Sequence, residues 1–206
     1  ESKFANGLRV TDQETVDVAL MVLAGKINKS LVNLIELKGG NAIGLSGLDG
    51  HMIEAKVKNP ELGFVGDITK VNIKPILDVI DKGYIPVVST VGCDNEGHVY
   101  NINADTAAAR LAGALGAESL IAMTDIAGIL KDKDDPDTLI SSIRIGDLTE
   151  LVSSGVIQGG MVPKAECCRN AIEWGVNRVF IIDGRVPHAI LIEMLTNEGI
   201  GTMFTK

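Results

Sequence analysis

The stretch that most clearly indicates the fold is residues 105–130, DTAAARLAGALGAESLIAMTDIAGIL. Its alanine-rich first part, residues 105–115, is typical of a helix. The apolar run 119–123 is typical of a buried strand, and the polar pair Thr124 and Asp125 follows directly at its end. A helix, a buried strand and then polar residues predict an α/β fold, in which ligands bind near strand ends.

Further helices and strands alternate on both sides of that stretch. Hydrophobic periodicity with Gly and Pro breaks predicts helices over residues 12–38, 72–82, 146–154, 163–174 and 187–195, and buried strands over 85–89 and 178–182. Thr11 and Glu14 form a capping-box pattern before the first helix. Short strands at 42–45 and 52–57 are expected to form a hairpin. The alternation predicts a three-layer αβα sandwich with a mainly parallel central sheet and some antiparallel hairpins.

The length of the chain allows two lobes that share a sheet. Their boundary is predicted near residue 95, which gives lobes of residues 1–95 and 96–206. The charged stretch 131–137 is too short for a linker and is interpreted as a surface loop.

Composition restricts the possible functions. The 206 residues carry a formal net charge of −8, which argues against a general nucleic-acid binder. Cys93, Cys167 and Cys168 are an odd number of cysteines, and the adjacent pair suits neither a zinc site nor a disulfide, so a cytoplasmic location is expected. No apolar run approaches the roughly 20 residues that span a bilayer, and no signal-peptide pattern is visible, so no membrane association is predicted.

The common nucleotide-binding signatures are absent from the sequence. There is no G-x-x-x-x-G-K-[ST] segment, and Gly44, Gly47 and Gly50 have the spacing G-x-x-G-x-x-G instead of G-x-G-x-x-G. A P-loop or Rossmann site is therefore not predicted.

Two predicted helix starts carry residues that suit anionic ligands. Asn101 and Asp105 flank a helix start whose amides favour negative charge, although Asn103 or Asp105 could equally cap the helix. Gly159–Gly160 leads to Lys164 in a first helical turn, where the helix dipole disfavours a cation. An anionic ligand would offset that cost, and an exposed lysine on a solvated face is the alternative.

Two other segments suit parts of a substrate. Residues 126–130 follow a strand end and form an apolar shelf that suits a purine ring, though a plain strand-turn-strand is equally natural. Arg9 precedes a capped helix and could hold a carboxylate with two parallel hydrogen bonds.

Seven motifs, in this order and spacing, resemble the N-acetylglutamate kinases of the amino acid kinase family over essentially the whole chain. They are NGLRVT at 6–11, GLSGLDG at 44–50, LGFVGD at 62–67, YNINAD at 100–105, TDIAGIL at 124–130, GGMVPK at 159–164 and DGRVPH at 183–188. The resemblance implies the amino acid kinase fold and ATP-dependent phosphorylation of the side-chain carboxylate of N-acetyl-L-glutamate in arginine biosynthesis.

The resemblance also implies roles for individual residues. Arg9 and Asn101 would hold N-acetyl-L-glutamate. Lys164 would stabilise the transferring phosphoryl group, and Asp105 would orient the catalytic lysines. The implied nucleotide-binding residues are Asp125, Ile126, Gly128, Ile129, Leu130, Val156, Ile157 and Gln158. Mg²⁺ would arrive with ATP, and no protein metal site is expected, because the histidines His51, His98 and His188 show no metal-ligand spacing.

The C-terminal motifs resemble those of arginine-inhibited members of the family. His188, Glu198 and Gly201 are implied to form a regulatory site for L-arginine as feedback inhibitor. Residues 1–95 would bind N-acetylglutamate and form a homodimer, and residues 96–206 would bind ATP and carry the regulatory C-terminus. A hexamer and a PII-type signalling partner are implied for the complete protein.

Family members begin with a strand and a glycine-rich loop that carries another catalytic lysine, and neither precedes Glu1. We therefore expect an N-terminally incomplete chain with at most trace activity on its own. Two alternatives stay open from the residues: a sister kinase acting on N-acetylaminoadipate or glutamate, and a non-catalytic sensor of arginine or nucleotide.

Overall fold

The computed structural model describes residues 4–5, 8–132, 134–196 and 199–206, and residues 4, 5, 8 and 9 by their backbone alone. The chain forms two compact units, Glu1–Ala107 and Ala108–Lys206. The division falls within the helix Ala104–Leu115, further along the chain than the predicted boundary near residue 95. It lies there because the strand Val99–Asn101 pairs with a strand of the first unit.

The described part of the first unit contains paired strands and three α-helical segments. The strands are β1 (Phe4–Ala5), β2 (Leu8–Arg9), β3 (Ala42–Ser46), β4 (Ile53–Val57), β5 (Gly66–Val71), β6 (Ile85–Ser89), β7 (Val91–Cys93) and β8 (Val99–Asn101), and the helices are α1 (Gln13–Leu20), α2 (Asn28–Leu37) and α3 (Lys74–Asp81). Strand β3 pairs in parallel with β6, and the order of the larger sheet is β5-β4-β7-β8. Within that sheet β4 and β7 are parallel and the outer pairs are antiparallel.

The predicted hairpin between residues 42–45 and 52–57 is wrong. Strand β3 pairs with β6, and β4 pairs with β5 and β7. The intervening GLDG segment does not make a two-strand turn, because Gly47 lies against the backbone of β7, where an added Cβ would come within 1.8 Å of the Val91 carbonyl oxygen. Strands β3 and β4 therefore belong to different sheets.

The predicted first helix is confirmed, but its cap is not the predicted one. Helices α1 and α2 are joined by a π-helical segment, Met21–Ile27, into one continuous helix from Gln13 to Leu37. Its N-cap is Asp12, whose carboxylate accepts a hydrogen bond from the Thr15 amide at 2.8 Å. Thr11 is fully buried and pairs with Gly63 instead, so the capping-box prediction is wrong.

This long helix is the segment among the described residues that passes a length and composition test for a membrane span. It has 25 residues. An 18-residue stretch within it has a mean hydropathy of 1.5, and only 6% of that stretch is buried. Length and composition alone would therefore allow it to cross a membrane. That is weak evidence, since core helices and signal sequences pass the same test.

The second unit has a mixed four-stranded sheet with helices on both faces. Its strands are β9 (Ser119–Thr124), β10 (Ser142–Arg144), β11 (Arg178–Asp183) and β12 (Thr202–Thr205), and its helices are α4 (Ala104–Leu115, which enters from the first unit), α5 (Leu148–Ser153), α6 (Met161–Glu173) and α7 (Ala189–Leu195). The strand order is β10-β12-β11-β9, and only β11 and β12 are antiparallel among the described strands of this sheet.

Alternate residues of β11 face two different cores, as expected for a pleated strand. Val179 and Ile181 pack into the larger core with α4, α5 and α6. Phe180 and Ile182 pack on the other face with Ala189 of α7. The predicted α/β class and the αβα layering are confirmed within this unit.

Candidate functional site

The residues predicted to bind a nucleotide come together around one cavity of about 670 Å³ in the second unit. Its walls are the loop after β9 and the turn before α6. The lining residues are Ile126, Ala127, Gly128, Ile129, Leu130, Lys131, Asp132, Gly155, Val156, Ile157, Gln158 and Met161. Every predicted nucleotide residue except Asp125 is among them. The apolar shelf expected from the sequence is therefore a wall of an open cavity.

Long-range contacts hold the first wall in place. The Ile129 amide donates to Thr202 Oγ1 at 2.8 Å, and the Ile140 amide donates to the Ile129 carbonyl at 2.8 Å. Gly128 has φ of +149°, and an added Cβ would lie 2.6 Å from Thr202 Oγ1. Glycine is required there by both its backbone conformation and the close approach of β12.

The second wall begins where α5 ends. Gly155 has φ of +79° and its amide donates to the Val152 carbonyl at 3.1 Å, a glycine helix end of the predicted kind. The Ile157 amide donates to the Leu151 carbonyl at 3.0 Å, and the Ile157 side chain is buried. This turn therefore presents backbone and the Gln158 side chain to the cavity from a fixed position.

Two charged residues of the cavity were missed by the sequence analysis. Lys131 and Asp132 line it, yet they belong to the stretch that was interpreted as a surface loop. Their position directly after the predicted shelf was the available signal. They add charged groups to a cavity lined by both apolar and polar residues, which suits a ligand with an apolar base and a polar remainder.

Lys164 lies on helix α6, whose first residue lines the cavity. Met161, a lining residue, is the first residue of α6, and Lys164 follows three positions later on the same helix face. Lys164 is half-buried in the first turns of the helix. Gly160 is the N-cap, with φ of −65° and no atom within 4 Å of the place a Cβ would take. Neither backbone strain nor packing requires glycine there, which leaves ligand approach as a reason for it.

Asp125 lies at the C-terminal end of β9, outside the cavity lining. Its carboxylate accepts from the Thr124 hydroxyl at 3.2 Å. On the adjacent strand, hydrogen bonds from the Arg185 side chain and backbone hold the pKa of Asp183 at about 2. The hydrogen bond to Asp183 and the attraction of its charge, with a smaller contribution from Asp125, raise the pKa of Arg185. The strand ends thus carry a compact group of charges, as expected for this fold class.

The segments predicted to bind the acceptor substrate meet in the first unit. Thr11, two residues after Arg9, exchanges backbone hydrogen bonds with Leu62 and Phe64 at 2.9 and 2.7 Å. The Asn101 amide in turn donates to the Phe64 carbonyl at 2.9 Å. Thr11, two residues after Arg9, and Asn101 therefore bond to the same connecting segment, residues 62–64. The Arg9 side chain lies outside what the structure describes.

At the start of helix α4, Asn103 caps the helix and Asp105 lies inside it. Asn103 Oδ1 accepts from the Thr106 amide at 3.0 Å and from the Thr106 hydroxyl at 3.1 Å, so Asn103 supplies the cap. Asp105 is half-buried in the first turn. The alternative that Asn103 serves as a plain cap is thus correct, and the role of Asp105 stays a prediction.

Of the predicted regulatory residues, two are described. His188 is exposed and has a left-handed backbone, with φ of 60°. It occupies the N-cap position of α7 without a side-chain capping hydrogen bond, and α7 begins at Ala189 instead of Pro187. Gly201 is buried against β11, where a Cβ would come within 2.3 Å of the Ile181 carbonyl oxygen. Glu198 lies outside the described residues.

A possible cation site that the sequence analysis did not predict lies in the turn between β7 and β8. Ligand atoms of Asp94, Glu96 and His98 lie within 4.8 Å of one another. The Asp94 carboxylate already accepts from Tyr100 Oη at 2.7 Å and from the Glu96 and His98 amides at 2.9 and 3.0 Å. Those bonds account for the turn without an ion.

Comparison with known proteins identifies the class to which this fold and site belong. The model of the amino acid kinase family matches residues 1–183, and the chain therefore belongs to that family. It is 58% identical to the acetylglutamate kinase of Brachyspira hyodysenteriae over 208 residues, which cover 100% of this chain and 72% of the relative. It is 53% identical to the acetylglutamate kinase of Nostoc sp. over 204 residues, which cover 98% of this chain and 69% of the relative.

A solved structure agrees with this assignment. The crystal structure of smu.665 from Streptococcus mutans matches with a TM-score of 0.83 and 29% identity, covering 100% of this chain and 77% of that protein. The predicted family, its fold and the kinase class are confirmed.

Proposed function

We propose that this protein transfers the γ-phosphoryl group of ATP to the side-chain carboxylate of N-acetyl-L-glutamate, giving N-acetylglutamyl 5-phosphate for arginine biosynthesis. One observation carries the proposal. The residues predicted to hold the nucleotide line one cavity beside the helix that carries Lys164, in a chain 58% identical to an acetylglutamate kinase.

The chemistry requires positioning more than acid-base catalysis. The acceptor carboxylate is ionised at neutral pH, since a glutamate side chain has a pKa near 4.3. One of its oxygens attacks the γ-phosphorus, the bond from that phosphorus to the β,γ-bridging oxygen breaks, and ADP leaves. The enzyme must hold two anions in line and neutralise charge on the γ-phosphoryl oxygens.

The described residues divide this work within the second unit. The base would pack on the apolar walls formed by Ile126 and Val156, with Lys131 and Asp132 at the rim. The phosphates would extend toward Gly160 and Lys164, where open space beside the glycine admits them and the ammonium group offsets their charge. Mg²⁺ would enter as part of the MgATP substrate, bound mainly by phosphates and water.

The first unit would bind the acceptor. The Arg9 guanidinium would form two parallel hydrogen bonds with a substrate carboxylate, and Asn101 would hold the rest of N-acetyl-L-glutamate. Asp105 would orient the catalytic lysines. The segment 62–64 supports this assignment, because Thr11, two residues after Arg9, and Asn101 both form backbone hydrogen bonds with it.

The test is an activity assay with the protein at its full natural length. ADP release is measured together with hydroxylamine trapping of the acyl phosphate. Equal amounts of ADP and hydroxamate, formed only when ATP and N-acetyl-L-glutamate are both present, are expected. Preference for N-acetylaminoadipate or glutamate would instead indicate a sister kinase, and ATP binding without turnover would indicate a sensor.

We also propose that L-arginine inhibits the enzyme through His188, Glu198 and Gly201. A guanidinium ligand needs a carboxylate, and the buried Gly201 keeps the C-terminal segment close to β11. An arginine titration of activity for wild type and Glu198→Ala tests this. An unchanged inhibition midpoint in the variant, or a wild type indifferent to millimolar arginine, would contradict it.

A cytoplasmic homodimer is the proposed form of the enzyme. The long helix Gln13–Leu37 exposes a row of large apolar side chains that would be buried between two copies. They are Val18, Met21, Val22, Ile27, Leu31, Leu34 and Leu37. A hexamer and a PII-type signalling partner remain predictions from the resemblance.

A further inference from the structure

A buried threonine connects the C-terminal strand to the nucleotide cavity. Thr202 is the first residue of β12 and is fully buried, and its Oγ1 accepts the hydrogen bond of the Ile129 amide at 2.8 Å. Ile129 and its neighbour Gly128 both line the cavity. The Thr202 hydroxyl therefore fixes the position of the Ile129 backbone in the cavity wall, because a buried amide is not left without an acceptor.

A second contact holds the segment immediately before Thr202. Glu193 of α7 accepts hydrogen bonds at one carboxylate oxygen from the Ile200 amide at 2.7 Å and from the Gly201 amide at 3.0 Å. Gly201 cannot move toward β11, since even a Cβ would come within 2.3 Å of the Ile181 carbonyl oxygen. The Glu193 carboxylate and β11 together restrain Ile200 and Gly201, the two residues directly before Thr202.

These contacts form a continuous path inside the second unit. It runs from α7 through Glu193 to the backbone of residues 200 and 201, then through Thr202 to Ile129. We propose that Thr202 is a positioning residue for the nucleotide cavity and that Glu193 tethers it, so that the C-terminal segment controls nucleotide affinity. The proposal rests on the proposed function in taking a nucleotide as the ligand of this cavity.

The path also gives a physical route for regulation. The predicted regulatory residues His188 and Gly201 lie at the start of α7 and directly before Thr202. A ligand that displaced this segment would act on the wall of the cavity without entering it. Coupling of this kind requires a contact with two alternative arrangements, and the Thr202–Ile129 hydrogen bond is the candidate.

Thr202→Val is the direct test, because valine has nearly the same shape and removes the acceptor. The expected result is a Kd for ATP about tenfold weaker by calorimetry, as for a buried donor left unpaired. The KM for N-acetyl-L-glutamate should stay unchanged, and kcat should change little. Thr202→Ser, which keeps the oxygen, should restore most of the affinity. Thr205→Val on the same strand is the control, since residue 205 lies on the opposite side of the pleat.

Glu193→Ala provides a second test that does not alter the buried threonine. Like Thr202→Val, it should weaken ATP binding, and it should speed hydrogen exchange of the Ile129 amide. Its effect should not add to that of Thr202→Val, because both act through one contact. ATP affinity within twofold of wild type in Thr202→Val, or full additivity, would overturn the proposal. A wild type that does not bind ATP would contradict the proposed function instead.

Discussion

Lys164 is half-buried and follows the cavity residue Met161 by three positions on α6. Its charge matters most while negative charge redistributes on the phosphoryl oxygens. Lys164→Ala should therefore lower kcat by about 10²- to 10³-fold and leave ATP affinity mostly intact. Steady-state kinetics and calorimetry measure the two effects. Lys206→Ala, an exposed lysine of the same unit, is the control, and a kcat within about twofold of wild type would remove Lys164 from the catalytic residues.

Arg9 is proposed to bind the acceptor carboxylate with two parallel hydrogen bonds. Lysine keeps the charge but loses that geometry. Arg9→Lys should raise the KM for N-acetyl-L-glutamate by about tenfold with little change in the KM for ATP. Arg144→Lys, an exposed arginine of the second unit, is the matched control. If only the KM for ATP rises, Arg9 serves the nucleotide and the assignment of the two units is reversed.

Gly160 tests whether the open space before α6 is used by the ligand. No atom lies within 4 Å of the place a Cβ would take, and the φ of −65° suits any residue. Gly160→Ala should therefore leave the melting temperature unchanged but raise the KM for ATP several-fold, because the methyl group would occupy the path of the phosphates. Gly146→Ala, another open position in the second unit, should change neither quantity. An unaltered KM for ATP in Gly160→Ala would show that the phosphates bind elsewhere.

At the scale of secondary-structure elements, the turn between β7 and β8 is controlled by Asp94. Burial alone would raise the pKa of Asp94, but hydrogen bonds from Tyr100 and His98 and from the backbone outweigh it and hold that pKa well below its usual range. Burial and the bond to Asp94 raise the pKa of Tyr100 to about 12. The two pKa shifts stabilise the hairpin formed by β7 and β8 in different pH ranges.

The sign of each contribution follows from linkage. The pKa of Asp94 is lower when folded, so its contribution is present above the unfolded pKa near 3.9 and is lost as pH falls below it. The pKa of Tyr100 is higher when folded, so its contribution is present below about 10 and is lost as pH rises toward 12. The hairpin should be most stable between these limits.

Asp94→Asn should remove the acid part of this dependence. The loss of hydrogen-exchange protection in residues 91–101 on lowering the pH from 7 to 3 should be smaller in the variant than in wild type. Asp81→Asn, an exposed carboxylate at the end of α3, should keep the wild-type dependence. An identical pH dependence in Asp94→Asn would mean that other groups control the hairpin.

At the scale of the whole molecule, the exposed apolar side chains of the long helix are proposed to lie between two copies. Leu34 is 56% exposed and Leu37 72% exposed, so these apolar side chains cost free energy in a monomer. Leu34→Glu should convert a dimer to a monomer in light scattering, whereas Asn33→Glu at the neighbouring exposed position should not. Flotation of wild type with lipid vesicles, and its loss in Leu34→Glu, would instead assign this surface to a membrane.

Much of the local structure could be read from the sequence. The strand Ile85–Ser89 has the predicted ends, and the helices around residues 105–115 and 163–174 are present with small shifts at their ends. Such elements are determined by side-chain periodicity and glycine positions, which are local features of the sequence. The motifs also found most of the residues that line the cavity, because those residues lie in two short continuous segments.

Other features depended on residues far apart in the chain. Three examples are the partner of β3, the burial of Thr11 and the Thr202–Ile129 hydrogen bond. Local propensity does not specify which strand edge or which distant amide a group will meet. Those partners are selected when the chain closes on itself and each buried donor must find an acceptor.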